Sequence, residues 1–185
     1  ICAVYSGEST KSNFVKWITV QAMGWSSCVK VWDKIRERHY YIPSQEALKS
    51  FSTSVHGKLF LLEDGGTMKK ETLLEKMKII AKRNQGNVFV IDNIMQIDLG
   101  AGNKNDAQKE FMVELVNFAQ KYNSHIHLVA HPKKPARGEE ASMYDIHGAS
   151  EIPNLSYNII RLRRLSEDIK EKWNKEKDEN KDTML

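Results

Sequence analysis

The stretch Asn87–Asp92, which reads NVFVID, decides the fold class of this chain. Its central residues, 88–91, form an unbroken apolar run, which is typical of a strand that is covered on both faces. Strands of this kind occur in parallel sheets, whose crossover connections place helices over the sheet. The stretch therefore predicts a parallel sheet with Asp92 at the carboxyl end of one strand.

The sequence on either side of 87–92 alternates short apolar strands with amphipathic helices. Further strands are predicted at Ile1–Tyr5, Lys58–Leu62, His125–Ala130 and Asn154–Arg163. Helices are predicted at Thr10–Met23, around Val31–Arg38 and Ser44–Phe51, from a Thr67 cap to Arg83, and at Asp106–Tyr122. On the first helix, helical spacing groups Phe14, Trp17, Ile18 and Gln21 on one face. The alternation predicts an α/β fold, a mostly parallel sheet with helices on both faces.

Composition sets limits on the class of protein. With 185 residues, of which 41% are apolar and 28% charged, the chain fits one globular domain. It has no apolar run long enough to span a bilayer, so no membrane association is expected. The first residues lack the pattern of a signal peptide, and Cys2 and Cys28 are interpreted as reduced thiols in a cytosolic compartment. The net charge of +4 is compatible with a polyanionic partner but does not require one.

The loop after the first predicted strand carries a possible phosphate-binding motif. Lys11 and Ser12 fit the end of GxxxxGK[ST], but Tyr5 and Thr10 stand where the motif has glycine. Side chains at those two positions block the approach of backbone N–H groups to phosphate. The better interpretation centres on Glu8, a carboxylate at the carboxyl end of a strand, where it can polarise water. The alternative is that Glu8 caps the following helix.

Asp92 and His131 also follow predicted strands. An apolar strand that ends in Asp has the form of a Walker B element, which holds Mg²⁺ beside a nucleotide. The alternative for Asp92 is an ordinary turn or cap residue. His131 is followed by basic residues and could contact a phosphate oxygen, whereas the alternative is a surface histidine in a loop.

Two polar loops, at 98–106 and 132–145, leave the predicted carboxyl edge of the sheet. Basic residues in them suit contact with a nucleic-acid backbone. They are Lys104 in the first loop and Lys133, Lys134 and Arg137 in the second. The alternative is that the second loop is a charged, flexible connection. The charged tail, 166–185, is predicted to be helical or disordered, and no chemistry is assigned to it.

Four segments, taken in order, resemble one protein family. YSGE at 5–8, VFVIDNIMQID at 88–98, HIHLVAHPKKP at 125–135 and DIHGASEIPNLSYNIIRLRR at 145–164 are similar to the helicase domain of Twinkle and phage T7-type primase-helicases, within the DnaB-like group. The resemblance covers most of the chain, from Ile1 to Arg164. It implies a RecA-like P-loop NTPase core, here incomplete. On this interpretation, 1–165 is a partial helicase ATPase domain without its Walker A strand, loop and helix, and 166–185 is a tail.

The resemblance also implies roles for individual residues. Glu8 would activate the water that attacks the γ-phosphate, Asp92 would hold Mg²⁺, and His131 would sense the γ-phosphate. Asn154 would lie near the nucleotide or a subunit boundary, and the two polar loops would contact DNA. The implied cofactors are ATP, or another nucleoside triphosphate, and Mg²⁺.

The function implied by the resemblance is that of an ATP-dependent replicative DNA helicase, a hydrolase that moves 5′ to 3′ on single-stranded DNA. The implied assembly is a homo-hexamer, with a primase or polymerase of the replisome as further partners. The expected location is the cytoplasm of a bacterium or a phage-infected host, rather than the mitochondrial matrix. Because the family's P-loop and arginine finger fall outside this sequence, the polypeptide alone is expected to hydrolyse ATP negligibly.

Two other functions are compatible with the same residues. One is a RecA/RadA-type recombinase ATPase, which has the same fold and forms filaments. The other is a non-catalytic module that binds nucleic acid or a protein partner and has a degenerate nucleotide site.

Overall fold

The computed structural model describes residues 1–62, 67–131, 146 and 151–162. The strands are β1 (Cys2–Ser6), β2 (Cys28–Asp33), β3 (Arg38–Pro43), β4 (Leu59–Leu62), β5 (Met68–Lys69), β6 (Val88–Asp92), β7 (Ile97–Asp98) and β8 (His125–Leu128). The helices are α1 (Lys11–Met23), α2 (Gln45–Val55), α3 (Lys70–Asn84), α4 (Lys104–Tyr122) and α5 (Glu151–Leu155). Short 3₁₀ turns lie at Trp25–Ser27 and Ile94–Gln96.

The centre of the molecule is a four-stranded sheet in the order β4-β1-β6-β8. Every neighbouring pair in this sheet is parallel, which confirms the prediction made from 87–92. The register pairs Ser6 with Asp92 and Ile91 with Leu128. The carboxyl ends of β1, β6 and β8 therefore meet at one edge of the sheet.

The chain leaves β1 and β6 in opposite directions. From β1 it passes through α1 and α2 to β4 on one side, and from β6 it passes through α4 to β8 on the other. Because crossovers between parallel strands are right-handed, these two connections cover opposite faces of the sheet. Ligands of open α/β sheets bind at the carboxyl edge where the direction of winding changes. In this molecule that place lies between β1 and β6.

The two faces of the sheet are packed unequally. Strand alternation turns Ala3 and Tyr5 to the face covered by α3 and α4, and it turns Val4 to the face where Phe14 of α1 lies. Helices on both faces are thus confirmed. The main core is on the α3 and α4 side and includes Leu73, Met77, Phe89, Ile91, Phe111, Leu115 and Phe118.

The predicted helix at Val31–Arg38 is wrong, because this segment belongs to an antiparallel hairpin of β2 and β3. The register pairs Val31 with Tyr40 and Trp32 with His39. Aromatic and β-branched residues of this kind favour strands once a partner strand is available. The Asp33 carboxylate stabilises the turn, since its Oδ1 accepts the backbone N–H groups of Ile35 at 2.9 Å and Arg36 at 3.1 Å.

Three other predictions need correction. Thr67 does not cap α3, which begins at Lys70, because Met68 and Lys69 pair with β7 as a short parallel strand. In place of a last strand from Asn154, residues 151–155 form α5 and residues 156–162 form neither helix nor strand. On α1, Trp17 is 69% exposed, and the buried position is Thr19.

The chain divides into two compact units, Ile1–Leu155 and Ser156–Leu185. In the second unit the structure describes residues 156–162, so the predicted tail at 166–185 lies outside the described residues. Within the described parts of the chain, no helix combines the length and apolar character needed to cross a bilayer.

Candidate functional site

Three side chains meet at the carboxyl edge of the sheet, each placed there by a different strand. Glu8 follows β1, Asn93 follows β6 and His131 follows β8. Together they are called the Glu8 cluster below. The cluster lies where the winding direction changes, so it occupies the position at which this class of sheet binds ligands.

The three side chains of the Glu8 cluster are in direct contact. Asn93 Nδ2 donates a hydrogen bond to Glu8 Oε1 at 2.5 Å. His131 Nε2 lies 2.9 Å from Glu8 Oε1 and also 2.9 Å from Asn93 Nδ2. The structure thus brings together Glu8 and His131, two residues that the sequence places 123 positions apart.

The hydrogen bonds of Asn93 indicate which atoms of the Glu8 cluster donate and which accept. Asn93 is fully buried, and its Oδ1 accepts the backbone N–H of Met95 at 2.8 Å, which turns Nδ2 towards Glu8. Asn93 Nδ2 can only donate, and a His131 Nε2 that carries hydrogen donates to the same oxygen, Glu8 Oε1. The 2.9 Å approach of Nε2 to Nδ2 is then a close contact between two donors and not a hydrogen bond. One carboxylate oxygen then accepts two hydrogen bonds from two different strand ends.

These contacts favour the ionised form of Glu8. Its pKa lies below the usual value of 4.5, chiefly because of the hydrogen bond from His131. Partial desolvation opposes this shift, while the charge of His131 and the hydrogen bond from Asn93 add to it. The side chain of Glu8 is 43% exposed, so an ionised and oriented carboxylate faces solvent. Such a group can accept a proton from a water molecule or orient that water.

Asp92 lies beside the cluster, at the last position of β6. Ser6 Oγ donates to Asp92 Oδ2 at 3.2 Å, so a carboxylate and a hydroxyl stand together on neighbouring strands. The peptide bond between Asp92 and Asn93 is cis. Oxygen ligands of this type suit Mg²⁺, which commonly takes one or two carboxylates from the protein and its other ligands from phosphate and water. Among the described residues there is no group of three or more His, Cys, Asp or Glu that could hold a metal ion.

The loop at 5–12 is not built as a phosphate cradle. The backbone N–H of Gly7 donates to the carbonyl of Asp92 at 2.7 Å. A Cβ on Gly7 would stand 2.3 Å from Cβ of Gln96, so Gly7 is needed for close packing. The cap of α1 is Thr10, whose side chain accepts the N–H of Asn13 at 3.4 Å. The alternative that Glu8 caps this helix is therefore wrong.

The buried side chain of Tyr5 holds the segments next to the carboxyl edge of the sheet in place. Its hydroxyl donates to the carbonyl of Gln96 at 2.8 Å and accepts the N–H of Met68 at 3.4 Å. The ring is 2% exposed. Tyr5 therefore ties β1 to β5 and to the 3₁₀ turn that follows Asn93.

The other predicted site residues lie elsewhere or outside the described residues. Lys104 is the first residue of α4 and is exposed. Asn154 is exposed on α5, a helix that packs against α4. Lys133, Lys134 and Arg137 lie outside the described residues.

Asn93 is the functional candidate that sequence reasoning missed. It stands directly after the predicted strand at 87–92, and a polar residue at that position must reach the carboxyl edge of a parallel sheet. The neighbouring Asp92 carried the stronger chemical signal. The contact with Glu8 depends on which strands are neighbours, which is a property of the folded chain.

No protein-family model matches the chain, and no curated protein matches it either.

Proposed function

We propose that this chain is the motor part of an ATP-dependent replicative DNA helicase with a RecA-like P-loop NTPase core. In this proposal it uses Mg²⁺-dependent hydrolysis of ATP, or of another nucleoside triphosphate, to move along single-stranded DNA. The observation that carries the proposal is the convergence of Glu8, Asn93 and His131 at the switch point of a parallel sheet. The resemblance to Twinkle and the phage primase-helicases supports the choice of helicase, of a hexamer and of 5′ to 3′ movement.

Glu8 has the chemistry of a group that activates water. The carboxylate is ionised at neutral pH, and the hydrogen bonds that lower its pKa hold it as an acceptor that can orient a water molecule. The hydrogen bonds from Asn93 and His131 fix its orientation, which removes part of the entropic cost of aligning a nucleophile. General-base assistance of this type accelerates reactions by about 10²–10⁴-fold.

Asp92 and Ser6 would hold the Mg²⁺ ion in this proposal. A single carboxylate beside a hydroxyl fits an ion that takes most of its ligands from phosphate oxygens and water. When bound, the Mg²⁺–nucleotide complex supplies the phosphoanhydride bond and neutralises negative charge on the phosphates. The chain's own contribution is the register of β1 and β6, which places Asp92 beside Ser6.

His131 links the cluster to the next segment of the chain. It contacts Glu8 and directly precedes the loop with Lys133, Lys134 and Arg137. A change in the hydrogen bonding of Glu8 during hydrolysis would therefore be felt directly by His131. In this proposal those basic residues and Lys104 contact the phosphate backbone of DNA.

Replacing Glu8 by Gln in the full-length protein tests the proposal directly. The variant keeps the size of the side chain and its acceptor oxygen but removes the base. We expect turnover of ATP to fall about 10²–10⁴-fold, while nucleotide affinity measured by equilibrium binding stays near that of the wild type. Glu46→Gln, at an exposed acid in the first turn of α2, is the matched control and should hydrolyse ATP normally. Unchanged turnover in Glu8→Gln would contradict the proposal.

One observation favours the non-catalytic module as a second candidate. The N–H of Gly7 is already bonded to Asp92, and Tyr5 is buried, so the loop at 5–12 cannot curl around phosphate. If this candidate is right, Asp92→Asn leaves both nucleotide binding and DNA binding unchanged. If the motor proposal is right, Asp92→Asn weakens Mg²⁺-dependent nucleotide binding or turnover.

A further inference from the structure

The hairpin of β2 and β3 gathers aromatic side chains on one of its faces. Strand alternation and cross-strand pairing place Lys30 opposite Tyr41 and Trp32 opposite His39 on the same face. Trp25, just before β2, packs edge-on against Tyr41 with ring centroids 6.0 Å apart. These five residues are called the hairpin face below.

The rings of the hairpin face are open to solvent. Trp25 is 70% exposed, Tyr41 is 54% exposed and Trp32 is 49% exposed. Each ring also has an aromatic neighbour, since Trp32 lies 4.7 Å from His39 at an interplanar angle of 64°. Such edge-to-face pairs hold rings in place while leaving surface available for another flat group. A cluster of exposed aromatic rings offers apolar surface to a binding partner.

Backbone hydrogen bonds and packing hold both ends of the hairpin in place. The backbone N–H of Ser44 donates to the carbonyl of Ser27 at 2.9 Å, which closes the base of the hairpin. Pro43, the last residue of β3, is buried, and β3 packs against α1. Asp33 closes the other end by accepting two backbone N–H groups of the turn. The aromatic rings are therefore positioned by regular structure before any partner binds.

The charge of the hairpin selects the kind of partner. Its basic residues are Lys30, Lys34, Arg36 and Arg38, and its acidic residues are Asp33 and Glu37. The Asp33 carboxylate is already occupied by the N–H groups of the turn and lies 4.0 Å from the Arg36 guanidinium. Lys30 stands on the hairpin face itself, next to Tyr41. An excess of positive charge beside exposed rings complements a negatively charged backbone that carries flat bases.

We propose that the hairpin face binds single-stranded nucleic acid, with bases stacked on Trp32 and Tyr41 and a backbone phosphate paired with Lys30. Stacking of this type requires bases whose faces are open, which a duplex does not offer. The proposal concerns a surface separate from the Glu8 cluster and needs no hydrolysis. It therefore stands or falls independently of the motor function.

Fluorescence anisotropy of labelled oligothymidylate and oligouridylate with the full chain, in the absence of nucleotide, tests the proposal. We expect Trp32→Ala and Tyr41→Ala each to weaken binding by about 5- to 150-fold, as expected for loss of one base–aromatic stack. Tyr41→Phe keeps the ring and should bind within about twofold of the wild type. Lys30→Gln should reduce the slope of log affinity against log salt by about one.

The matched control is Tyr40→Ala. Tyr40 lies on the same strand, is 43% exposed and points to the opposite face, so its loss should leave oligonucleotide affinity unchanged. A preference for oligothymidylate or for oligouridylate identifies DNA or RNA as the ligand, and equal affinity supports a site that accepts both. Glu46→Gln, at an exposed acid in the first turn of α2, should also bind the oligonucleotides normally.

Three results would overturn the proposal. The first is unchanged affinity in both Trp32→Ala and Tyr41→Ala. The second is a duplex that binds as tightly as the single strand and loses as much affinity in Trp32→Ala and Tyr41→Ala. The third is self-association, measured by sedimentation, that Trp32→Ala abolishes without any change in oligonucleotide affinity, because the hairpin face would then bind a second copy of the chain. If circular dichroism shows that the alanine variants are misfolded, Lys30→Gln tests the proposal instead. A salt dependence of affinity equal to that of the wild type would then overturn it.

Discussion

At the scale of single residues, the candidate site depends on short polar side chains that follow apolar strands. Glu8 and His131 were predicted as strand-end residues, and the structure places them in contact through Glu8 Oε1. Asn93 was missed, although it is the buried member that bonds both Glu8 and the backbone of Met95. Sequence position identifies which residues reach an edge, but it does not identify which of them touch.

The pKa of Glu8 gives a prediction at this scale. His131 is the largest cause of its lowering, so His131→Ala should raise the pKa of Glu8 towards 4.5. A carboxyl whose pKa is lowered by folding stabilises the folded state above its unfolded-state pKa, and this contribution is lost as pH falls through the folded-state pKa. The wild type should therefore keep Glu8 ionised below pH 4.5, to a lower pH than the variant does.

A carbon-detected NMR titration of the Glu8 carboxyl measures this difference. His56→Ala, at an exposed histidine after α2, is the control and should leave the titration of Glu8 unchanged. Identical titration of Glu8 in the wild type and in His131→Ala would show that His131 does not hold the carboxylate.

At the scale of elements, strands with long apolar runs were predictable and short segments were not. β6 and β1 follow directly from their composition, because an unbroken apolar run fits a strand covered on both faces. In the segment at 31–38, Val31, Trp32 and Ile35 fit helical spacing. Pairing with Arg38–Pro43 decides in favour of a strand, and that pairing is a contact beyond the segment itself.

The start of α3 is also set by a strand partner that is distant in sequence. Thr67 is a good capping residue, but Met68 and Lys69 pair with β7 and stay extended, so the helix begins later. Nothing within 67–70 signals a partner strand at 97–98. Local propensity is overridden here by a hydrogen-bonded neighbour that is distant in sequence.

Tyr5→Phe tests how these elements are held together. The variant keeps the buried ring but leaves the carbonyl of Gln96 and the N–H of Met68 without the hydroxyl. Because buried polar groups that lose a partner are costly, we expect the free energy of unfolding to fall by about 1–3 kcal/mol. Urea unfolding followed by circular dichroism measures this loss. Tyr40→Phe, at a tyrosine of β3 that is 43% exposed, is the control. An equal effect in both variants would contradict the role of Tyr5.

At the scale of the whole molecule, strand order determines where chemistry can occur. Ser6 and Asp92 lie side by side although 86 positions separate them. The sequence predicts parallel strands and their polar carboxyl ends. It does not predict that β1 lies between β4 and β6, because the order depends on how the crossovers pack on the two faces. That order brings Glu8 next to Asn93 and so creates the cluster.

The main core, on the α3 and α4 side, should dominate the stability of the whole fold. Phe89 of β6 is 1% exposed and packs edge-to-face on Phe118 of α4, with ring centroids 5.3 Å apart. We expect Phe89→Ala to lower the free energy of unfolding by about 3–5 kcal/mol, because the lost ring leaves a cavity between sheet and helix. Domains of this size have a total stability of about 5–15 kcal/mol, so the urea midpoint should fall steeply. Trp17→Ala removes a larger ring that is 69% exposed and should change stability by less than about 0.5 kcal/mol. Equal losses in the two variants would mean that burial against α4 does not stabilise the sheet that positions the Glu8 cluster.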